Sequence, residues 1–184
     1  MSKKILVIRG SARKGGNTAV IADEYVKGAK EAGNVITDLF LREMQMGDCL
    51  GCGACQMNGG VCVQKDDMGK VYEKMQDADV IVFASPVYFY TWNSLTKRVI
   101  DRTFAVENLL QNKTFYLLSA GAAPEEKYMG TMIDSFKQYV SCFRAGGNQV
   151  GGYVFAYGTN KPGDAVGSDA AKQAYELGLE MKEF

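Results

Sequence analysis

The sequence of 184 residues contains no histidine, and this absence excludes several classes of enzyme. Without an imidazole the protein cannot use a Ser-His-Asp or Cys-His nucleophile, histidine acid–base catalysis or a histidine-ligated metal. Any metal must therefore bind sulfur or oxygen. If the protein is an enzyme, we expect a cofactor to carry the difficult chemistry, with no catalytic side chain.

An excess of either charge is also missing. Lys and Arg together number 21, as do Asp and Glu, so the formal net charge is +0. This balance argues against a nucleic-acid-binding protein, which would carry a clustered basic excess, and against an acidic disordered segment.

Long apolar runs are absent as well. No stretch approaches the roughly 20 residues of a membrane span. The apolar run 5–8 before Arg9 is too short for the hydrophobic region of a signal peptide. We therefore expect a cytoplasmic protein that does not act at a membrane. In that compartment its five cysteines are more consistent with ligands or free thiols than with disulfides.

The length and the 47% hydrophobic content predict a single domain over residues 1–184. Apolar runs predict five strands, at residues 5–8, 35–41, 80–84, 114–120 and 150–157. Helical spacing predicts five helices, at about residues 22–32, 66–76, 94–103, 128–143 and 169–181. This alternation indicates an α/β three-layer sandwich with a parallel sheet of flavodoxin-like order 2-1-3-4-5.

Three loops of this fold, at residues 10–18, 85–92 and 119–124, each follow a predicted strand. They should collect at one edge of the sheet, where such folds bind ligands. Loop 10–18 precedes a helix, so its N–H groups and the helix dipole favour an anion. Ser11, Asn17 and Thr18 add donors to this loop, and Arg13 adds charge.

Two nucleotide motifs fail in the same loop. Gly16-Asn17 stands where a P-loop would have Lys followed by Ser or Thr, and Ala12 replaces the second glycine of the dinucleotide motif. ATP, GTP and a Rossmann-type NAD site are therefore disfavoured. An ordinary turn with a helix cap is the alternative interpretation of this loop.

Four cysteines form the pattern Cys49-x2-Cys52-x2-Cys55-x6-Cys62 in an aperiodic segment, residues 47–63, which predicts a loop. Four of its glycines would let the backbone fold tightly around one centre; they are Gly51, Gly53, Gly59 and Gly60. Iron–sulfur clusters use such cysteine runs, whereas structural zinc prefers two ligand pairs separated by a longer loop.

Two further features predict no site. Cys142, between the apolar residues of a predicted helix, is expected to be a buried free thiol. Residues 161–164, with Pro162 and Gly163, predict a turn.

The chain resembles the NADPH-dependent FMN reductase family in several motifs that occur in order. They are Gly10-Ser11-x-Arg13-x-x-Gly16-Asn17-Thr18, Ser85-Pro86-Val87-Tyr88-Phe89, Leu95-Thr96-Lys97 with Asp101-Arg102, and Ser119-Ala120-Gly121. The resemblance implies FMN, with its phosphate in the first motif on Ser11, Arg13, Asn17 and Thr18. It places the isoalloxazine ring against Pro86, Val87, Tyr88 and Phe89, near Ser119, Ala120 and Gly121. Alternatively, the aromatic residues of loop 85–92 pack under a neighbouring helix.

Within this family the cysteine motif resembles that of the iron–sulfur flavoproteins. The resemblance implies that Cys49, Cys52, Cys55 and Cys62 hold a [4Fe–4S] cluster near the flavin, in a loop inserted into the domain at about residues 47–63. A loop of a cluster-free relative is the alternative.

Two functions follow as hypotheses. In the first, an oxidoreductase passes reducing equivalents from NAD(P)H, or from a protein donor, through FMN to a flavin, quinone or other small acceptor. In the second, an iron–sulfur and FMN protein relays single electrons between partner proteins. A sensor that only binds FMN is a third class that nothing in the sequence requires. The family resemblance also implies a homodimer or homotetramer.

Overall fold

The computed structural model describes residues 2–182, without the side chain of Lys182, and this part of the chain forms a sheet between two layers of helices. The strands are β1 (Lys4–Arg9), β2 (Val35–Phe40), β3 (Val80–Tyr88), β4 (Thr91–Trp92), β5 (Thr114–Ala120) and β6 (Gln149–Ala156). The helices are α1 (Asn17–Glu31), α2 (Ala54–Met57), α3 (Met68–Asp77), α4 (Ser94–Arg102), α5 (Gly130–Ser141) and α6 (Asp169–Leu179). Short 3₁₀ turns continue several of these elements.

Five strands lie parallel in the order β2-β1-β3-β5-β6, which confirms the predicted fold and strand order. The sheet has a sixth strand that the sequence did not predict. This strand, β4, pairs antiparallel with the end of β3. It has only two residues, too few to show a strand period.

The apolar run of β1 is continuous because both faces of this strand are covered. Leu6 and Ile8 lie in the core shared with α3, α4 and α5, whereas Ile5 and Val7 lie in the core shared with α1 and α6. Alternating side chains of a strand face opposite sides of the sheet, so both sets must be apolar.

The parallel register brings the carboxyl ends of the strands together. Arg9 of β1 lies beside Ala84 of β3, and Ser85 of β3 lies beside Ser119 of β5. The loops at 10–18, 85–92 and 119–124 therefore emerge at one edge of the sheet, as predicted.

Cys142 corrects one expectation, because its thiol is exposed rather than buried. It follows the last residue of α5, whose buried face carries Met132, Ile133, Phe136 and Val140. Residues two positions apart on a helix do not share a face, so Cys142 turns away from the core that Val140 enters.

None of the helices within residues 2–182 is long and apolar enough to cross a membrane.

Candidate functional site

A network of short polar contacts joins the ends of β1, β3 and β5. The amide of Gly10 donates to the Ala84 carbonyl at 2.8 Å, and the Asn93 side chain donates to the Gly10 carbonyl at 2.6 Å. Ser85 Oγ lies 3.3 Å from Asn93 Oδ1, and Ser119 Oγ donates to the Ser85 carbonyl at 2.5 Å. These buried bonds fix the loops after the three strands relative to one another.

Asn93 is a structural residue of this edge that the sequence analysis missed. Its Oδ1 accepts hydrogen bonds from the Thr96 amide at 3.2 Å and from Thr96 Oγ1 at 2.7 Å, so it also caps α4. Thr96 packs so closely that a Cβ atom on Gly10 would lie 1.8 Å from its Oγ1. An asparagine before a helix signals a cap, but its contact with Gly10, far along the chain, has no local signal.

The first turn of α1 has the open amide groups that an anion needs. Its N-cap is Gly16, and within the described residues no side chain caps this end. Uncapped N–H groups and the helix dipole both favour a bound anion here. Ser11 Oγ accepts from the Arg13 amide at 3.1 Å, which shapes the loop, and the Arg13 side chain is exposed.

The side chain of Asn17 does not lie free for a ligand. Its Nδ2 donates to the Lys161 carbonyl at 2.9 Å, and its Oδ1 accepts from the amides of Gly163 and Ala165 at 3.0 and 3.1 Å. The side chain predicted to contact phosphate thus anchors the loop after β6. What Asn17 still offers an anion is its main-chain amide in the first turn of α1.

The loop after β6, residues 157–165, is a fourth loop at this edge of the sheet. The Thr159 amide donates to the Gly121 carbonyl at 3.0 Å, and the Gly158 amide donates to the Ala123 carbonyl at 2.8 Å. The sequence indicated only a turn at 161–164. Its role in linking loop 10–18 to loop 119–124 depends on the Asn17 contacts, which no local pattern shows.

A strained hairpin carries the aromatic residues of loop 85–92. Phe89 and Tyr90 form the two-residue turn between β3 and β4, with φ values of 49° and 65°. Such turns favour glycine and asparagine, because other side chains are strained at positive φ. Phe89 is nevertheless 97% exposed. Bulky residues held in a strained conformation and open to solvent point to a ligand or partner.

The four aromatic residues of this loop divide between ligand-accessible and core positions. Tyr88, Phe89 and Tyr90 are exposed, whereas Trp92 is buried and donates to Ser135 Oγ of α5 at 2.9 Å. The alternative of packing under a helix therefore holds for Trp92 alone.

The remaining residues predicted to lie near the flavin ring differ in how far they are exposed to solvent. Pro86 and Val87 are half-buried, and Gly121 is so close that an added Cβ would lie 3.1 Å from Val87 Cβ. Ser119 and Ala120 are buried within β5.

The four cysteines of the 47–63 segment line one cavity of about 290 Å³. We call it the cysteine cavity; Tyr72, Arg102 and Phe104 also line it. Cys49 and Cys52 are exposed, and Cys55 and Cys62 are half-buried. The segment is a loop, as predicted, apart from α2, which contains Cys55. Four of its five glycines have the positive φ that a tight backbone requires: Gly51, Gly53, Gly59 and Gly60, at 63°, 66°, 60° and 88°.

The donors of the cysteine cavity suit a metal that prefers sulfur. Within residues 2–182, however, no three cysteine or carboxylate side chains converge as metal ligands. The four thiols nevertheless line one and the same cavity. The pKa of the Cys62 thiol lies below its ordinary value: burial raises it, but the Gln64 amide and Arg102 lower it more.

Comparison with known proteins gives one family match and several relatives. The family described as NADPH-dependent FMN reductase matches residues 3–161. An iron–sulfur flavoprotein of Methanosarcina thermophila is 37% identical over 65% of this chain, which spans 64% of that relative's length. An iron–sulfur flavoprotein of Archaeoglobus fulgidus is 30% identical over 98% of this chain and 79% of that protein.

Solved structures share the fold. An NAD(P)H:quinone oxidoreductase from Methanothermobacter marburgensis superposes with a TM-score of 0.76 at 14% identity, covering 100% of this chain and 98% of that one. An azoreductase from Bacillus anthracis has a TM-score of 0.75 at 16% identity, covering 98% of this chain and 100% of that one. With the family match over most of the sequence, the conclusion is that the chain belongs to the NADPH-dependent FMN reductase family and is an oxidoreductase of that family.

Proposed function

We propose that the chain binds FMN at the edge formed by loops 10–18, 85–92 and 119–124. The observation that carries this proposal is the open first turn of α1 next to the strained, exposed hairpin of Phe89 and Tyr90. The first turn of α1 offers amide donors for a phosphate, and the hairpin offers an aromatic surface for a flat ring. When bound, FMN supplies hydride and single-electron chemistry.

Each predicted binding residue then has a defined part. Ser11, Arg13 and Thr18, with the main-chain amides of Gly16 and Asn17, hold the phosphate. The half-buried Pro86 and Val87, with Tyr88, Phe89 and Gly121, hold the ring. Ser119 and Ala120 shape the loop from within the sheet. No side chain serves as catalytic acid or base, which suits a sequence without histidine.

We also propose that Cys49, Cys52, Cys55 and Cys62 hold a [4Fe–4S] cluster. Their common cavity and thiolate chemistry support this assignment, as does the similarity to the two iron–sulfur flavoproteins described above. Zinc is the metal that would compete for a site of four thiols. The cluster supplies one-electron chemistry, which zinc does not.

The reaction that fits best is transfer of reducing equivalents from NAD(P)H through FMN to a flavin, quinone or other small acceptor. The family match supports the nucleotide donor, and structural neighbours named as quinone oxidoreductase and azoreductase support small acceptors. The exposed thiols of Cys49 and Cys52 favour a second candidate, single-electron relay to a redox partner protein.

Stopped-flow mixing of the oxygen-free, FMN-loaded protein with NADPH or NADH separates these candidates. We expect rapid bleaching of the flavin absorbance with at least one nucleotide. Dithionite provides the control that the bound flavin is reducible. Bleaching by dithionite but by neither nucleotide would contradict direct use of NAD(P)H and leave the electron relay.

A homodimer or homotetramer is the proposed assembly. Apolar side chains are exposed around the cysteine cavity, among them Leu50, Met57, Val61, Val63 and Phe104. A cluster of exposed apolar side chains is typical of a surface that a subunit or partner covers.

A further inference from the structure

Arg102 is a buried cation in the wall of the cysteine cavity. Only 1% of its side chain is exposed. Its Nη1 forms an ion pair with Asp66 and donates to the Gly47 carbonyl at 3.1 Å. Its Nη2 donates to Cys62 Sγ at 3.4 Å. The guanidinium thus connects a carboxylate on one side with a cysteine sulfur on the other.

The ion pair with Asp66 uses only one of the three guanidinium nitrogens of Arg102. Nη1 makes both of the oxygen contacts, and Nε has no hydrogen-bond partner in the described part of the chain. A buried cation with an unsatisfied N–H is costly, so a purely structural ion pair would be expected to use its donors more fully. Among the described residues the guanidinium also bonds the sulfur of Cys62, and the Tyr72 hydroxyl lies close to both groups.

We propose that Arg102 sets the reduction potential of the cluster in the cysteine cavity. This inference rests on the proposed cluster. Hydrogen bonds to ligand sulfurs and local net charge are among the determinants of a cluster's potential. A cation bonded to Cys62 stabilises the state with the added electron and so raises the potential. Arg102 is a positioning and tuning residue: it acts through Cys62 and is not itself a ligand.

Burial makes this effect larger than that of a surface charge. Arginine keeps its proton when buried, and a charge away from water is weakly screened. Arg98 lies on the same helix, α4, but its side chain is 29% exposed, and it pairs at 2.7 Å with Asp48, which is 82% exposed. It carries the same charge in a solvated position and provides the matched control.

The test is a mediated potentiometric titration of oxygen-free protein with dithionite, in which each cluster gains one electron and no bond breaks. The variants are Arg102→Gln, Arg102→Lys and the control Arg98→Gln. For Arg102→Gln we expect the equilibrium constant for one-electron reduction to fall about tenfold, or about 59 mV toward negative potential. Arg102→Lys keeps a positive charge that can pair with Asp66 but loses the planar guanidinium that reaches Cys62. The reduction potential should therefore shift in the same direction by a smaller amount. Asp48 is next to Cys49 but open to solvent, so Arg98→Gln should shift the potential much less than Arg102→Gln.

Iron content distinguishes the two ways this can fail. Wild-type protein prepared without oxygen that contains no iron would overturn the cluster, and this inference with it. Protein that contains iron, with wild-type potentials in both Arg102 variants, would overturn the role of Arg102 and leave the cluster standing. If Arg102→Gln does not fold, Arg102→Lys alone decides: an unchanged potential contradicts the proposal, and a negative shift supports it.

Discussion

Arg13 and Lys14 are adjacent cations of the first loop, and their contacts give them different roles. Lys14 forms an ion pair with Glu43, whereas the Arg13 side chain is exposed beside the open end of α1. Arg13→Ala should weaken FMN binding by about 1.5–3 kcal/mol, as for loss of a charge-assisted hydrogen bond. Lys14→Ala should weaken FMN binding by less than about 1 kcal/mol, because the charge of Lys14 is already paired at the surface. Flavin fluorescence titration measures both, and equal losses would remove the assignment of Arg13 to the phosphate.

Phe89 combines an unfavourable backbone with an almost fully exposed ring. Because φ is 49° and little packing is lost, Phe89→Gly should raise the free energy of unfolding of the FMN-free protein by about 1 kcal/mol. The same substitution should weaken FMN binding, since the ring is a proposed flavin contact. Urea denaturation measures the first effect and flavin titration the second.

Phe89→Ala separates strain from ring contact. Alanine removes the ring but keeps a Cβ at positive φ, so it should weaken FMN binding without the gain in stability. If both variants bind FMN as tightly as the wild type, the hairpin does not contact the flavin.

At the scale of elements, α1 and α6 approach each other through glycines. A Cβ on Gly28 would lie 2.2 Å from the Tyr175 carbonyl oxygen, and one on Gly178 would lie 2.3 Å from the Tyr25 carbonyl oxygen. Gly28→Ala should therefore destabilise the protein by about 1–3 kcal/mol, because the helices must move apart. Thermal or urea unfolding, followed by circular dichroism, measures the loss.

Gly69→Ala is the matched control for this packing. Gly69 is an exposed helical position in α3, and a Cβ there would meet no atom within 4 Å among the described residues. Because Gly69 is the second residue of α3, Gly69→Ala should raise the free energy of unfolding by less than the roughly 0.5–1 kcal/mol of a mid-helix position. If Gly69→Ala lost as much stability as Gly28→Ala, the α1–α6 contact would not explain the loss of stability in Gly28→Ala.

The parallel strands and most helices could be predicted because strands covered on both faces and helices covered on one face leave different apolar patterns in the sequence. The fully covered strands β1, β3 and β5 appear as continuous apolar runs, and α3 shows its buried face through Met68, Val71, Tyr72 and Met75. The elements α2 and β4 are shorter than the period that would reveal them. The start of α1 at Asn17 was missed because its first turn belongs to a glycine-rich loop without a capping side chain.

At the scale of the whole molecule, strand order explains why the candidate site was largely predictable. Parallel strands place their carboxyl ends at one edge, so three loops far apart in sequence had to meet there. The use of the Asn17 side chain, the links through Asn93 and the Cys62–Arg102 contact could not be predicted. Each depends on residues distant in sequence whose separation only the folded chain sets.

The proposed homodimer or homotetramer would cover the exposed apolar side chains around the cysteine cavity. The chain has no net charge to keep copies apart, and the exposed apolar residues Leu50 and Met57 lie in the cysteine segment, 68% and 85% exposed. Light scattering of the cluster-loaded protein at micromolar concentration should give a dimer or tetramer. Met57→Lys should shift the mass toward the monomer, with Lys27→Met on α1 as a control without that effect. A wild-type monomer would contradict the proposal.

We propose that the cysteine cavity holds a redox-active cluster in a chain that binds FMN. The most direct test is iron, sulfide, zinc and flavin analysis of protein purified without oxygen, on the wild type and Cys55→Ser. We predict about four iron and four sulfide per chain with FMN in the wild type, and FMN without the full cluster in Cys55→Ser. Zinc in place of iron, or no metal in the wild type, would contradict the claim.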